Sequence, residues 1–292
     1  MIEINVIRQR EDKRLAIVTP QHRFPLTNDE EVSLRHLRHF FGRFDRFLVC
    51  PESSAPQMDD FNLIRVPDAD LASEWAYNRM LLTRRFYEWF ADYDYILIYQ
   101  LDCLVFSGDI LSWCEQGWDY VGAPWFHGYA GDTSEGFLGV GNGGFSLRNV
   151  RSHLHVFSSK KFGRDSAALG WRDSHVYRSP LVRNLVCRFK TTLHRAGYQN
   201  NVQAFLDEYC QHKSVHEDLF WAWEAKRFKP DFRIPSPAEA LPFAFEGAPR
   251  TCYEMNGRRL PLGCHAWAKF DRSFWEQFLL TEDSEQLVER TA

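Results

Sequence analysis

The chain has 292 residues, of which 45% are hydrophobic and 25% charged, and its formal net charge is −4. The length allows one large α/β domain with a sizeable core, and the acidic balance argues against a protein that binds a nucleic-acid backbone. Seven scattered cysteines without CxxC spacing predict reduced thiols in a cytosolic protein rather than a disulfide framework or a zinc site. The N-terminus has no apolar signal region and no stretch reaches the ~18 apolar residues of a membrane span, so we expect a soluble, unexported protein.

The N-terminal third alternates predicted strands and helices, as α/β proteins do. Leu15 to Val18 predict a first strand, and the hydroxyl of Thr19 at its exit could contact a nucleotide; a plain strand exit is the alternative. The next predicted elements are a helix from the Thr27-Asn28-Asp29-Glu30 capping box to Gly42, strands at 44–50 and 63–66, and one long helix from Leu71 to Ala91. That long helix carries Asn78 and Arg79 near its start, where a cation could face a diphosphate, although most arginines on an amphipathic helix are simply solvated.

Tyr95 to Tyr99 form a continuous apolar run that predicts a strand buried on both faces of a mostly parallel sheet. Ligands of open α/β sheets bind beyond the carboxyl ends of the strands, and here that end carries Gln100 and Asp102. A carboxylate there could hold a metal ion or a sugar hydroxyl. The alternative is that Asp102 caps a turn before Ser107-Gly108-Asp109.

Two glycine-rich stretches follow a predicted short helix at 110–115 and a strand at 119–121. Residues 127–139 predict a mobile loop over a site. Gly139 to Arg148, GVGNGGFSLR, predicts backbone that approaches a ligand closely before entering a strand, and the Asn142 amide suits sugar hydroxyls; a glycine-rich hairpin or bulge is the alternative. The stretch has neither the GKS or GKT of a phosphate loop nor a GxGxxG that opens a helix.

A basic excess between Lys160 and Arg195 usually indicates a solvated surface. A second interpretation is contact with a membrane surface or with an acceptor that bears phosphate.

The C-terminal third contains two candidate sites. In His216-Glu217-Asp218-Leu219-Phe220-Trp221, the adjacent carboxylates are either helix N-terminal charges or a pair suited to general-base catalysis. The proline-containing tail from Phe232 predicts irregular structure, in which His265 could be a metal ligand, a donor to phosphate or simply structural. A closing helix is expected from Phe274 to Leu287.

The order of these motifs resembles a little-characterised family of bacterial glycosyltransferase-like domains that occur in polysaccharide gene clusters. The motifs are YDYILIYQLDCLVF, DYVGAPWF, VGNGGFSLR, HEDLFWA and PLGCHAW, and the resemblance covers residues 15 to 270. It implies a single GT-A (Rossmann-like) α/β domain over residues 1–292, with a mostly parallel central sheet flanked by helices and a C-terminal elaboration.

The resemblance also assigns roles to residues. Asp218 would be the general base with Glu217 in support, and Asp102 and His265 would hold a divalent metal, manganese or magnesium. The donor side would consist of Thr19, Asn78, Arg79, Gln100 and Asp102, and the pocket for the sugar and acceptor of Trp125, Asn142, Gly143 and Gly144. In Gln100-Leu101-Asp102, one carboxylate stands where the DxD motif of such enzymes has two. Asp102 could therefore bind the donor's ribose or sugar instead, while cationic groups neutralise the diphosphate.

The expected function is an inverting transfer of sugar from a nucleotide-sugar donor to a hydroxyl of a glycan or lipid-linked acceptor in surface polysaccharide synthesis. We expect the protein in the cytoplasm, at the inner face of the membrane, without a nucleic-acid partner. A catalytically silent carbohydrate-binding or scaffold protein is the first alternative. A nucleotidyltransferase is the second, but it would need a glycine-rich phosphate-binding loop after the first strand, and Thr19 to Arg23 contain no glycine.

Overall fold

A computed structural model describes residues 14–128, 132–160, 162–211 and 216–280. Eleven strands lie in these ranges: β1 (Leu15–Pro20), β2 (Asp45–Pro51), β3 (Asn62–Val66), β4 (Tyr95–Tyr99), β5 (Leu104–Val105), β6 (Tyr120–Val121), β7 (Ala123–Gly128), β8 (Asp132–Gly141), β9 (Phe145–Asn149), β10 (Ala244–Phe245) and β11 (Gly263–Cys264). Six of them form the central sheet, in the order β3-β2-β1-β4-β9-β6. Only β9 runs antiparallel to its neighbours, so the predicted class, α/β with a mostly parallel central sheet flanked by helices, is confirmed.

The helices occupy both faces of this sheet. They are α1 (Asn28–Phe41), α2 (Glu74–Leu81), α3 (Arg84–Glu88), α4 (Leu111–Glu115), α5 (Val150–Phe157), α6 (Ser166–Ser174), α7 (Pro180–Arg195), α8 (Val202–Tyr209), α9 (Glu217–Leu219), α10 (Ala225–Phe228), α11 (Pro237–Ala240), α12 (Pro249–Met255) and α13 (Arg272–Trp275). Strand β4 is buried throughout, with Ile96 and Ile98 in one hydrophobic cluster and Leu97 in the other. Because successive side chains of a strand point to opposite faces, one short apolar run fills both core layers.

A smaller sheet, in the order β10-β11-β5, lies beyond the central one. Strand β11 pairs antiparallel with β5, Cys264 opposite Leu104, and parallel with β10, Cys264 opposite Phe245. The prediction that the tail from Phe232 is irregular was therefore wrong in part. Single residues of this region, such as Phe245, Cys264 and Trp267, are buried in a third hydrophobic cluster. Strands of two residues are too short to show a periodic pattern in the sequence.

The long helix predicted from Leu71 to Ala91 is instead two helices, α2 and α3. Ser73 caps α2, and the Thr83 hydroxyl accepts a hydrogen bond from the Phe86 amide and so begins a new helix. Thr83 itself has extended backbone angles, as N-cap residues do, and this interrupts the helix. The apolar spacing continues across the break because both helices bury Leu81, Phe86 and their neighbours in the same cluster.

The loop predicted over residues 127–139 was also wrong in most of its length. Strands β7 and β8 form an antiparallel hairpin, with Trp125 opposite Gly139, and residues 129–131 lie outside the described ranges. Interspersed glycines hide the strand pattern here, whereas the Phe126 and Phe137 rings stack across the hairpin at 4.8 Å. Of the predicted closing helix, the described residues contain α13 and a 3₁₀ turn at Glu276–Phe278, and residues 281–287 lie outside the described ranges.

Candidate active site

A cavity of about 390 Å³ opens at the carboxyl ends of β1 and β4. The chain passes from β1 to β2 and β3 on one side, then returns to the other side of β1 as β4, so these two strands flank the switch point of the topology. The cavity is lined by residues 20–23 after β1, residues 71–74 and Tyr77 at the start of α2, and residues 100–102 after β4. Open α/β sheets bind ligands at this place, because the strand connections diverge there and leave a crevice.

A cluster of side chains at one edge of the cavity comes from the small sheet. The register of β10, β11 and β5 brings together the residues that flank them, Glu246, His265 and Asp102. His265 Nδ1 lies 2.8 Å from Glu246 Oε1, and His265 Nε2 lies 3.2 Å from Gln100 Oε1 and 3.4 Å from Asp102 Oδ1. Although burial favours neutral imidazole, the carboxylates of Asp102, Glu246 and Asp218 raise the pKa of His265 to about 9. The ligand-free cluster therefore carries an imidazolium at neutral pH.

Asp102 and His265 are suited in part to hold a divalent cation. Asp102 Oδ1 and His265 Nε2, 3.4 Å apart, could contact one ion. Glu246 binds the other ring nitrogen of His265, Nδ1, as carboxylates often do in metal sites. Metal binding would displace the imidazolium proton. In the part of the chain that the structure describes, no group of three His, Cys, Asp or Glu residues could form a complete shell. Any ion would need further ligands, for which donor phosphate oxygens are chemically suited.

The adjacent carboxylates of Glu217 and Asp218 have different environments. Glu217 is 1% exposed and accepts two hydrogen bonds from the Arg148 guanidinium, at 2.7 and 2.9 Å. Arg148 is itself fully buried, donates to the Tyr87 hydroxyl at 3.0 Å, and lies over the Tyr120 ring. This bidentate ion pair fixes the orientation of the Glu217 carboxylate.

The Asp218 carboxylate accepts a hydrogen bond from the Leu219 amide, at 2.8 Å. Burial, together with the negative charges of Glu217 and Glu246, raises the pKa of Asp218 from 3.8 to about 6. A general base needs a pKa near the working pH, so that it is both deprotonated and basic enough to take a proton. Asp218 meets this requirement, and the next turn is a π-helix at Phe220–Glu224, a distortion that is frequent near functional sites.

Three residues predicted for the donor side, Thr19, Asn78 and Arg79, are not among the residues that line the cavity. Asn78 is buried, and its Oδ1 accepts from the Glu217 amide at 2.9 Å, so it fixes the start of the helix that carries the carboxylate pair. Arg79 is exposed, lies over the Trp75 ring at 4.6 Å, and is absent from the cavity wall. Thr19 is fully buried at the end of β1 and its hydroxyl has no hydrogen-bond partner among the described residues. Its role in donor binding stays a prediction, as does that of Arg79.

The glycine-rich segment before β9 makes room for the protein's own site residues. A Cβ on Gly144 would lie 2.2 Å from His265 Nε2 and 2.8 Å from Gln100 Oε1, and one on Gly143 would lie 2.6 Å from Glu217 Oε1. Asn142 has a φ of 94°, and its Oδ1 accepts from the amides of Gly144 and Phe145. Its Nδ2 is buried without a hydrogen-bond partner among the described residues. The close approach predicted from the glycines is thus to side chains, while the Asn142 amide keeps two unused donor hydrogens.

Two tryptophans extend the site along the β7–β8 hairpin. Trp125 is 8% exposed, covers Gly141, and its Nε1 donates to Glu246 Oε2 at 3.2 Å. Trp223 lies on the π-helical turn, contacts Trp125 edge to face at 5.8 Å, and is 48% exposed. An aromatic face in this position suits stacking against a sugar ring.

Residues 60–265 match the family model described as "Protein of unknown function (DUF5672)". This chain belongs to the DUF5672 family. The match contains Asp102, the glycine-rich segment, the carboxylate pair and His265, so the candidate site lies almost wholly within the family's own boundaries. No curated protein matches the chain in sequence.

Several solved structures resemble the DUF5672 chain weakly. Apo-form glycosyltransferase GlyE of Streptococcus pneumoniae TIGR4 is 16% identical with a TM-score of 0.43, over 95% of this chain and 62% of GlyE. Galactosyltransferase LgtC, solved with donor and acceptor sugar analogues, is 13% identical with a TM-score of 0.43, over 93% of this chain and 99% of LgtC. A glycosyltransferase involved in the glycosylation of the major capsid of PBCV-1 is 11% identical with a TM-score of 0.41, over 91% of this chain and 98% of that enzyme. Similarity at this level does not establish a function.

Glu246 and Arg148 are the site residues of this DUF5672 protein that the sequence analysis missed. Glu246 is an isolated acid in the proline-containing tail, and only the pairing of β10 with β11 places it beside His265. Arg148 had a usable signal. Arg148 and Leu147 point to opposite faces of β9, which lies between β4 and β6 and is covered on both faces. The Arg148 guanidinium is therefore buried, and a buried charge requires a partner.

Gly144→Ala should abolish the function of the His265 cluster without unfolding the DUF5672 domain. The added methyl group would meet His265 Nε2 and Gln100 Oε1 at contact distances that real atoms do not adopt, so the ring must move away from Asp102. We expect any turnover that depends on this ring to fall at least about 100-fold, since displacements of this kind have effects of this size in enzymes. Gly163→Ala is the matched control, because its Cβ would meet nothing within 4 Å. Equal turnover in the two variants would contradict this account of the cluster.

Proposed function

We propose that this protein is a GT-A-type glycosyltransferase that transfers a sugar from a nucleotide-sugar to a hydroxyl of a glycan or lipid-linked acceptor, with inversion. The observation that carries the proposal is the environment of Asp218. Its carboxylate accepts a hydrogen bond from the Leu219 amide, has a pKa of about 6, and lies close enough to Glu246 and His265 for their charges to affect one another. A poised base beside a cluster that contains an imidazolium, at the edge of a switch-point cavity, fits displacement of an anionic leaving group.

In the proposed reaction, Asp218 takes the proton of the acceptor hydroxyl as that oxygen attacks the anomeric carbon. The bond from this carbon to the diphosphate oxygen breaks, and the electron pair leaves with the nucleoside diphosphate. His265, held by Glu246, presents a cationic N–H toward Asp102 and Gln100, where it can stabilise the charge that develops on the leaving group. A divalent metal at Asp102 and His265 would supply the same stabilisation as a Lewis acid.

The donor would occupy the switch-point cavity, with its nucleotide against residues 20–23 and its diphosphate toward Asp102. The transferred sugar would then lie beside Asn142, whose unused amide hydrogens can donate to sugar hydroxyls. The acceptor would approach over Trp125 and Trp223, on the side of Asp218.

The proposed activity can be tested by release of nucleoside diphosphate from a panel of nucleotide-sugars, with and without manganese. Even without an acceptor, slow transfer to water releases the diphosphate, so the assay does not require the acceptor to be known. We expect release from one nucleotide class and none from a Gly144→Ala control. Donor binding without release of diphosphate would instead favour a catalytically silent carbohydrate-binding protein, and release of pyrophosphate would favour a nucleotidyltransferase.

Trp223→Ala should weaken acceptor binding while leaving donor binding unchanged. The indole is half exposed beside Trp125, and loss of one aromatic stacking contact is worth about tenfold in affinity. We therefore expect about a tenfold increase in KM for the acceptor at an unchanged KM for the donor. Trp171→Ala, which removes another exposed indole far along the chain, is the control. An unchanged acceptor KM would remove Trp223 from the acceptor site.

A further inference from the structure

Helix α7 presents an apolar stripe that nothing in the described residues covers. Leu181, Leu185 and Phe189, spaced four residues apart, are 78%, 69% and 63% exposed, and Val182 beside them is 44% exposed. Residues at this spacing lie on one face of a helix. We call these four side chains the α7 face. Exposed apolar side chains that form a contiguous patch mark a surface that binds a partner.

The opposite side of α7 is held by the rest of the protein. Gly170 of α6 lies so close to α7 that an added Cβ would meet the Cys187 carbonyl at 2.8 Å. His194 is buried and binds Asp173 at 2.8 Å, and Arg183 lies over the Trp171 ring. The helix is thus fixed on α6 with the α7 face pointing outward.

The surroundings of the α7 face are basic. Arg188 and Arg195 are exposed and follow the same edge of the apolar stripe, about two turns apart. Residues 174 to 206 contain no aspartate or glutamate. A second copy of this face would therefore bring like charges together, whereas anionic lipid phosphates would complement them.

We propose that the α7 face docks this protein onto a membrane surface that contains anionic lipids. An interfacial helix lies in the plane of the bilayer with its apolar side among the acyl chains and its cations at the phosphates. At 16 residues α7 is about 24 Å long, which suits such a helix. None of the helices in the described ranges has the length and hydropathy to cross a bilayer. The attachment is peripheral, and it does not rest on the proposed activity.

The test is co-sedimentation of the full-length chain with vesicles of phosphatidylcholine alone or with 30% phosphatidylglycerol added, without any sugar ligand. We expect binding to the anionic vesicles only, reduced as salt is raised. L181S/L185S/F189S should abolish it, and R188E/R195E should lower the partition coefficient at least about 20-fold, because each basic residue near a lipid surface contributes about fivefold. R85E/R151E, at two exposed arginines on α3 and α5, has the same net charge and should bind like the wild type.

Each alternative gives a distinct result. Wild-type protein that stays in solution with anionic vesicles overturns the proposal, as does equal binding by R188E/R195E and R85E/R151E. Sedimentation equilibrium of the wild type and of L181S/L185S/F189S tests for a dimer. If the wild type is dimeric, the triple variant is monomeric and neither binds vesicles, the α7 face binds a second copy of the protein instead of a membrane. Circular dichroism confirms that each variant is folded, and since the substituted side chains are exposed we expect wild-type spectra.

Discussion

Asp218→Asn is expected to lower kcat for sugar transfer by about 10²–10⁴-fold while donor affinity stays within about twofold of the wild type. The amide keeps the shape of the side chain but cannot accept a proton from the acceptor hydroxyl. The donor contacts that we propose lie in the switch-point cavity, whose wall does not include Asp218, so they should be unaffected. Asp207→Asn, which removes an exposed carboxylate on α8, is the matched control.

The pH dependence follows from the pKa of the same carboxylate. With the pKa of Asp218 at about 6, the rate should be half-maximal near pH 6 and fall tenfold for each further unit of acidification. Wild-type rates that do not change between pH 5 and pH 8, or full activity of Asp218→Asn, would remove Asp218 as the base.

The raised pKa of Asp218 also has a consequence for stability. The folded protein keeps the proton up to about pH 6, whereas the unfolded chain releases it near pH 3.8. The folded state therefore binds more protons in that window, so this group makes the free energy of unfolding fall as pH rises through it. Asp218→Asn should remove that loss. The free energy of unfolding of the variant, relative to that of the wild type, should therefore be higher at pH 8 than at pH 4 by on the order of 2 kcal/mol, as measured by urea unfolding.

Arg148→Met is expected to reduce the free energy of unfolding by about 3–5 kcal/mol at pH 7. The substitution leaves Glu217, which is 1% exposed, as a buried carboxylate without its cation. The double variant Arg148→Met/Glu217→Met removes both charges and should recover most of this loss, because an apolar pair of similar volume no longer needs a counter-charge. Urea unfolding of the single and double variants measures the coupling directly.

Arg258→Met provides the control for this ion pair. Arg258, just beyond the end of α12, binds Glu254 of that helix at 2.8 Å, and its side chain is 74% exposed. Exposed pairs of this kind contribute little, so the free energy of unfolding should be nearly unchanged. If Arg148→Met were no more destabilising than Arg258→Met, the buried pair would not be the structural centre of the site.

The secondary structure could be predicted where local chemistry decides it. The apolar run Tyr95 to Tyr99 gave a strand with the right bounds, and the Thr27 capping box gave the start of α1, because each signal lies within a few residues. The break between α2 and α3 was missed since Thr83 caps a helix whose apolar side continues the face of the previous one. The hairpin of β7 and β8 was missed because contacts between the two strands stabilise it, and the sequence of either strand alone does not show them.

The residues of the site could likewise be predicted only where local chemistry indicates them. Asp102, His265 and the carboxylate pair could be proposed from residue types at strand and helix ends, and the structure brings Asp102 and His265 together, 3.4 Å apart. The sequence could not separate Glu217 from Asp218, because the difference lies in Arg148, 69 positions earlier in the chain. It could not find Glu246 either, since a register between three two-residue strands places it beside His265.

The most direct test of a nucleotide-sugar site at the switch point is a thermal-shift measurement with UDP-, GDP-, CMP- and dTDP-linked sugars, each with and without manganese. A ligand that binds the folded state raises the melting temperature by mass action. We predict a selective increase with one nucleotide class in the wild type and in Asp218→Asn, with a smaller increase in Gly144→Ala. If no nucleotide-sugar raises the melting temperature of the wild type, the central claim is contradicted.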